Sequence, residues 1–89
     1  MRYNLRRISD SAGDTGPMSR TIKRNTDGSL EEGGPRPRIG FNVIVGSPYA
    51  RTYDLRDYWV TTTVQEILEE TENRMKFRTN NSIYEWEQF

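Results

Sequence analysis

Residues 74–88 read RMKFRTNNSIYEWEQ, and the stretch fits a β-hairpin that turns at Asn80 and Asn81. The commonest two-residue hairpin loop needs positive φ at both positions, which asparagine tolerates better than most residues other than glycine. In this register one face carries three pairs: Thr79–Ser82, Phe77–Tyr84 and Met75–Trp86. The opposite face carries two pairs of opposite charge: Lys76–Glu85 and Arg74–Glu87. A slip by one residue would scramble both faces, so the sequence predicts this hairpin and this register.

The composition of the 89-residue chain allows one small domain with a tail, or one domain with a long ordered arm. Lys and Arg together number 13, as do Asp and Glu, so the net charge is zero. A protein dedicated to duplex DNA normally carries a basic excess, and the zero balance argues against that class.

Charge and aromatic residues are distributed unevenly along the chain. Residues 1–38 hold eight basic and five acidic side chains, a net charge of +3, whereas residues 39–89 hold five and eight, a net charge of −3. Nine of the ten aromatic residues, all except Tyr3, lie in residues 39–89, so the core-forming material is concentrated there. The sequence therefore predicts a polar, mildly basic arm with a Pro/Gly linker over residues 1–38 and a small folded domain over residues 39–89.

The sequence contains no cysteine and no histidine, which removes several kinds of chemistry together. Disulfides, thiol nucleophiles, imidazole acid–base catalysis and Cys/His zinc sites are excluded. Neither common glycine-rich phosphate-binding motif occurs in the chain. We therefore expect a protein that is not an enzyme and that uses no metal and no cofactor. Its apolar runs are far shorter than the ~20 residues that cross a bilayer, so we expect a soluble cytoplasmic protein.

Residues 39–46 alternate as a half-buried strand does, and the run ends at a Gly-Ser-Pro breaker. The inward positions of this strand are predicted to be Ile39, Phe41, Val43 and Val45. Residues 49–58, YARTYDLRDY, have no clean period and are dense in Arg, Asp and Tyr, which indicates a long loop. A second strand is expected to start near Trp59.

Residues 64–72 fit two kinds of secondary structure. Five residues are spaced for one face of a helix: Val64, Ile67, Leu68, Thr71 and Met75. In a strand, Val60, Thr62 and Val64 would face inward, and a β-bulge would restore the inward phase at Ile67. The three consecutive threonines of residues 61–63, with valine on either side, favour the strand. We therefore predict a strand and keep a short helix as the alternative.

With a strand at this position, residues 39–89 resemble the SH3-like small barrels, the group that includes Tudor and KOW-type domains. The matching parts are the opening strand 40–46, the long loop, the run WVTTTVQEI over residues 59–67, and the hairpin MKFRTNNSIYEW. The resemblance implies a mainly β protein: a small SH3-like, partly open barrel with a long N-terminal arm. The pattern is also similar to short uncharacterised proteins of phages and bacterial mobile elements.

The resemblance implies a binding module, because these barrels are rarely enzymes and commonly dock proteins, peptides or nucleic acid. We predict a non-catalytic protein-binding module, encoded by a phage and acting as an inhibitor or modulator of a host defence protein. The alternative is a small barrel that binds nucleic acid or nucleotides through exposed Tyr and Arg side chains. A homo-oligomer is a further alternative, and no membrane partner is expected.

The long loop is the strongest candidate for partner binding, because Tyr and Arg are enriched at the hot spots of interfaces. The predicted partner-binding residues are Tyr49, Arg51, Tyr53, Arg56, Tyr58 and Trp59. The alternative role of these tyrosines is to seal one end of the barrel. Five basic residues of the N-terminal segment are predicted to contact phosphates or an acidic partner: Arg6, Arg7, Arg20, Lys23 and Arg24. Their alternative role is that of solvated side chains in a polar tail.

Overall fold

The computed structural model of the protein describes residues 1–47 and 58–89. Across these ranges, no helix is long and apolar enough to cross a membrane. Within them the chain forms nine β-strands: β1 (Tyr3–Arg7), β2 (Gly13–Gly16), β3 (Met18–Arg24), β4 (Leu30–Gly34), β5 (Asn42–Gly46), β6 (Tyr58–Val60), β7 (Val64–Glu70), β8 (Arg74–Thr79) and β9 (Ile83–Gln88).

The strands form two antiparallel sheets. The five-stranded sheet has the order β2-β1-β9-β8-β7, and the four-stranded sheet has the order β4-β3-β5-β6. The predicted mainly β fold is confirmed. The described strands do not close into a barrel, and the core lies between the two sheets.

The long N-terminal arm predicted for residues 1–38 is wrong. These residues supply β1 to β4, and β1 lies between β2 and β9 in the interior of the five-stranded sheet. Leu5 of β1 stands opposite Trp86 and is fully buried. A segment with few apolar residues can complete a sheet when one of them reaches a core that other strands supply.

The Pro/Gly linker predicted around residues 29–38 contains a strand, β4, which pairs with β3. The register shifts between Thr21 and Ile22, so that Gly33 is the extra residue of a β-bulge. A Cβ on Gly33 would lie 2.6 Å from the hydroxyl oxygen of Thr21, so only glycine fits there without a rearrangement. The glycines of the predicted linker therefore allow an irregular strand.

Strands β8 and β9 form the predicted hairpin, and its register is confirmed at four positions: Arg74–Glu87, Met75–Trp86, Lys76–Glu85 and Phe77–Tyr84. The expected turn geometry is wrong, because neither Asn80 nor Asn81 has a positive φ. The hydroxyl oxygen of Thr79 accepts the N–H of Ser82 at 3.3 Å. A side-chain acceptor thus takes the place of the backbone carbonyl that a tight hairpin turn normally uses.

Strand β5 follows the predicted alternation over most of its length. Val43 and Val45 are fully buried, and Phe41, just before the strand, is buried as well. Ile39 is 62% exposed, so its predicted inward position is wrong. Gly40 has a φ of 90°, which turns the chain between Ile39 and Phe41 and breaks the alternation there.

The predicted second strand is in fact two strands that belong to different sheets, β6 and β7. Thr61, in the connection, is buried, and its hydroxyl accepts the N–H of Val43 at 3.1 Å and donates to the carbonyl of Thr62 at 2.7 Å. The inward positions predicted for Val60 and Thr62 are wrong, since both are exposed, whereas Val64 is buried as predicted.

Strand β7 confirms the strand over residues 64–70, and the helical alternative is wrong there. Its pairing with β8 shifts register between Val64 and Glu66 and again between Ile67 and Glu69. The predicted bulge is therefore present, and Ile67 packs against the core as expected.

The core is built around Trp86, which is fully buried. Its other buried members are Leu5, Val43, Val45, Val64, Met75, Phe77 and Tyr84. The indole N–H of Trp86 donates to the hydroxyl oxygen of Ser19 at 3.0 Å, and that hydroxyl donates to the carbonyl of Pro35 at 2.7 Å. The guanidinium carbon of Arg36 lies 5.5 Å from the Trp86 ring centroid. Contacts from β3 and from the β4–β5 connection thus hold the four-stranded sheet on the centre of the five-stranded one.

Candidate partner-binding surface

The outer face of the five-stranded sheet is charged, and most of its charges are paired. Met75, Phe77 and Thr79 of β8 point into the core, so the alternating residues of that strand point outward. The ion pairs on this side join Arg74 to Glu87 at 3.2 Å, Arg74 to Glu85 at 3.3 Å, Lys76 to Glu69 at 3.9 Å and Arg78 to Glu66 at 3.6 Å. We call this side the charged face. Because its cations and carboxylates neutralise one another, it has the character of a solvated surface.

The outer face of the four-stranded sheet is mainly apolar. Thr21, Val43 and Val45 are buried, so the residues that alternate with them point away from the core. The register places Arg20, Ile44 and Val60 in one row across β3, β5 and β6. The apolar side chains on this side are Met18, Ile22, Leu30, Ile44, Tyr58 and Val60. We call this surface the apolar face.

The apolar face carries three charged side chains, which are Arg20, Arg24 and Glu32. Arg20 lies 3.4 Å from Glu32, and both are more than half exposed. Arg24 has no acidic side chain within ion-pair distance among residues 1–47 and 58–89. The face is therefore apolar with a net charge of +1, a composition that suits an apolar partner surface with carboxylates at its rim.

The structure separates two of the predicted partner-binding residues. Tyr58 lies opposite Gly46 and points to the apolar face, whereas Trp59 lies opposite Val45 and packs against the core. Neighbouring residues of a strand point to opposite sides, so Tyr58 and Trp59 do not share a rim. The other four, Tyr49, Arg51, Tyr53 and Arg56, lie outside the described residues.

The fold brings together Trp59 and Arg7, one residue from each predicted set. The guanidinium carbon of Arg7 lies 5.3 Å from the ring centroid of Trp59, and the Trp59 indole N–H lies 3.4 Å from the Tyr84 hydroxyl oxygen. Arg7 donates to both carboxylate oxygens of Asp10, at 2.9 and 2.6 Å. This hydrogen bonding lowers the pKa of Asp10 to about 2 and raises the pKa of Arg7 above its ordinary value. Arg7 thus covers one side of the Trp59 ring and is paired with an acidic residue of the same chain.

The other predicted basic contacts divide between internal and open positions. Arg6 donates to the Asn4 side chain at 3.1 Å and to the Thr15 hydroxyl at 2.9 Å. Lys23 lies over the ring of Phe41, with its ammonium 5.9 Å from the centroid. Arg20 and Arg24 lie on the apolar face. The five cations therefore do not form one basic stripe.

A shallow groove of about 410 Å³ opens on the charged side of the molecule, where the hairpin turn lies beside the end of β1. Its lining residues are Ile8, Ser9, Arg78, Thr79, Asn80, Asn81, Ser82 and Ile83. The N–H of Ile8 donates to the carbonyl of Ile83 at 2.9 Å, which places the two isoleucines side by side. We call this feature the turn groove.

The three acidic residues of β7 are explained by pairing, whereas Glu72, in the following turn, contributes its backbone carbonyl to Arg36 and Gln88. Glu66, Glu69 and Glu70 lie within 4 Å of Arg78, Lys76 and Arg36 respectively. Among the residues that the structure describes, no group of three Asp, Glu, His or Cys side chains is placed to hold a metal ion.

Sequence reasoning missed the apolar face and the turn groove. Ile44 was at an outward position of its predicted strand, but Ile22 was assigned to the arm and Val60 was assigned inward. The register that brings the three strands together was the missing information. Ile8 and Ile83 are 75 positions apart in sequence, and only the pairing of β1 with β9 makes them neighbours.

Comparison with protein-family models, with curated proteins and with solved structures finds no match for this chain. The function is therefore argued from the surfaces themselves.

Proposed function

We propose that this protein is a non-catalytic protein-binding module whose partner docks on the apolar face. The observation that carries the proposal is the contrast between the two outer sheet faces. The charged face is covered by several ion pairs, whereas the apolar face has one among the described residues, Arg20–Glu32, and leaves aliphatic side chains and Tyr58 half-buried or exposed. A contiguous exposed apolar patch on a small domain is typical of an interaction site.

The chemistry of the partner follows from the apolar face. Its centre would be apolar, to cover Ile44 and Val60, and its rim would carry carboxylates opposite Arg20 and Arg24. Charge pairs at a rim influence the association rate and the choice of partner more than the affinity. The predicted contacts Tyr49, Arg51, Tyr53 and Arg56 precede Tyr58 directly in sequence and remain part of the proposal.

The SH3-like resemblance adds a proposal about the biological role. Small barrels of that group are commonly docking modules, and small phage proteins often inhibit a host defence protein or remodel a host complex. We therefore propose a host protein as the partner, with the module covering a working surface of that protein. Fold analogy supports only this general level of description.

The test compares two matched substitutions. Val60→Asp and Leu68→Asp each place a carboxylate on an edge strand. The two side chains they replace are similarly exposed, at 42% and 40%. Tagged wild type and both variants are used to capture partners from a lysate of the source cells, after urea unfolding has established that all three are folded. We expect Val60→Asp to reduce the captured protein about tenfold and Leu68→Asp to leave it within about twofold. Equal capture by wild type and Val60→Asp would reject the apolar face.

Nucleic-acid binding is the second candidate, and one observation supports it: Arg20, Arg24 and Tyr58 lie on a single face. Two ion pairs oppose it: Asp10 neutralises Arg7, and Glu32 neutralises Arg20. Nuclease treatment and salt separate the two functions. Nucleic-acid affinity falls steeply and log-linearly with salt, whereas docking on an apolar face is much less sensitive. Capture that nuclease abolishes would favour the second function.

A further inference from the structure

We propose that the turn groove binds the C-terminal carboxylate of a peptide whose last side chain is apolar. The site lies on the charged side of the molecule and is separate from the apolar face. The proposal therefore holds or fails independently of the partner-binding function.

The apolar part of the site is formed by Ile8 and Ile83. Their side chains are 49% and 39% exposed, and they lie next to each other at one end of the charged face. Toward the other end, this face carries ion pairs and the hydrogen-bonded side chains of Asn4 and Arg6. Two neighbouring isoleucines in these surroundings offer a small contact area for one aliphatic side chain.

The charged part of the site is Arg78, which lies directly opposite Ile83 in the sheet. Its Nε is 3.6 Å from a carboxylate oxygen of Glu66, which is beyond hydrogen-bond distance. No described residue accepts a hydrogen bond from this guanidinium, so its terminal N–H groups remain available. A guanidinium binds a carboxylate through two parallel hydrogen bonds, which a peptide C-terminus provides.

The rim supplies groups for the peptide backbone. Asn80 and Asn81 are exposed at the turn, and Ser9 also lines the groove. Each asparagine can donate and accept a hydrogen bond, as a peptide unit requires. The volume of about 410 Å³ is at the small end of ligand sites, so the groove fits a chain end better than a folded surface.

Glu66 is a built-in competitor for the ligand. It is the carboxylate nearest to Arg78, and a bound peptide would replace it as the partner of that guanidinium. Removing the negative charge of Glu66 should therefore tighten binding. A merely structural role of Arg78 predicts no such gain.

The experiment follows backbone amide shifts of the ¹⁵N-labelled full chain by NMR. Three peptides are titrated: acetyl-Gly-Ser-Gly-Leu with a free C-terminus, the same peptide as its amide, and acetyl-Gly-Ser-Asp-Leu amide. We expect only the free-acid peptide to shift the amides of Ile8, Asn81 and Ile83, with millimolar affinity. Arg78→Gln should weaken this binding by at least about tenfold, and Glu66→Gln should tighten it severalfold. Lys76→Gln, which removes a neighbouring cation outside the groove, should change the affinity by less than about twofold.

Three results would overturn the proposal. Equal binding of the acid and the amide would show that the groove recognises no carboxylate. Equal binding of the Asp-containing amide would assign it to acidic side chains rather than to chain ends. Absence of shifts with the free acid, in a wild-type protein whose spectrum is well dispersed, would show that no such site exists.

Discussion

Asp10 fixes the orientation of Arg7, and Arg7 in turn lies against the ring of Trp59. The carboxylate receives both guanidinium hydrogen bonds and also the backbone N–H of Ala12 at 3.1 Å. One acidic side chain therefore holds the turn after β1 and the cover of Trp59 together. Both ionised groups are stabilised in the folded state, which is why the pKa of Asp10 falls and that of Arg7 rises.

The first prediction concerns pH. The pKa of Asp10 is lowered from its ordinary value of 3.8 to about 2, so below pH 4 the unfolded chain takes up this proton before the folded one does. The contribution of Asp10 to stability is thus present above pH 4 and is lost as the pH falls toward 2. Urea unfolding of wild type and Asp10→Asn from pH 7 to 2 measures it. The stability difference between the two should shrink in that window, and a difference constant down to pH 2 would contradict the assignment.

At the scale of single residues, the sequence identified interaction-prone side chains but not their partners. Arg7 was predicted to bind a phosphate or an acidic partner, and it binds an acidic group three residues away in its own chain. Tyr58 and Trp59 were grouped by residue type, although adjacent positions in a strand face opposite sides. Residue type is therefore informative about the kind of contact, whereas the pairing register decides where the contact is made.

The elements that could be predicted are those whose pairing is local. The β8–β9 hairpin joins residues close in sequence, and its opposed aromatic and charged pairs specify one register. The pairing of β1 with β9 spans almost the whole chain, and its main apolar contact is Leu5 with Trp86. No local pattern encodes such a pairing, so composition alone led to the wrong assignment of residues 1–38 as an arm.

The β4–β5 connection is tied to the β7–β8 turn by one arginine. Arg36 donates to the carbonyl of Glu72 at 2.6 Å and to that of Thr71 at 2.8 Å, while its guanidinium covers Trp86. The planar fork of arginine makes these contacts together, and a lysine ammonium on its flexible stem does not reproduce them. The residue therefore links two elements of different sheets.

We predict that Arg36→Lys lowers the free energy of unfolding by about 1–3 kcal/mol, because hydrogen bonds from a charged group and the stacking are lost. Arg2→Lys, at an exposed position, serves as the control and should change it by less than about 0.5 kcal/mol. Urea denaturation monitored by tryptophan fluorescence measures both. Equal stability of Arg36→Lys and wild type would mean that charge alone is sufficient at this position.

At the scale of the whole molecule, the two sheets share one core but present different outer surfaces. Both contribute side chains to one core, but their outer faces differ in kind: paired charges on one, exposed aliphatic side chains on the other. A domain of this size needs much of its apolar material for the core. The apolar side chains that lie outside the core are therefore the physical reason for proposing that the partner docks there.

The two sheets lie in close contact at Gly16, where β2 ends. A Cβ at this position would lie 2.3 Å from the carbonyl oxygen of Gly46, the last residue of β5. Gly16 does not have a positive φ, so it is required for space rather than for conformational freedom. A side chain here would push the end of the five-stranded sheet away from the four-stranded one.

We predict that Gly16→Ala lowers the free energy of unfolding by about 1–3 kcal/mol or more, because the added methyl group would be forced against the backbone of Gly46. Gly28→Ala is the comparison: its Cβ would meet nothing within 4 Å, but its φ of 88° costs about 1–2 kcal/mol. Amide shifts distinguish the two causes. Gly16→Ala should displace signals on both sheets, including Gly46 and Met18, whereas Gly28→Ala should affect only the turn around it. Displacement confined to β2 would mean that the sheets are not in contact at this point, and the face assignments that depend on their packing would need revision.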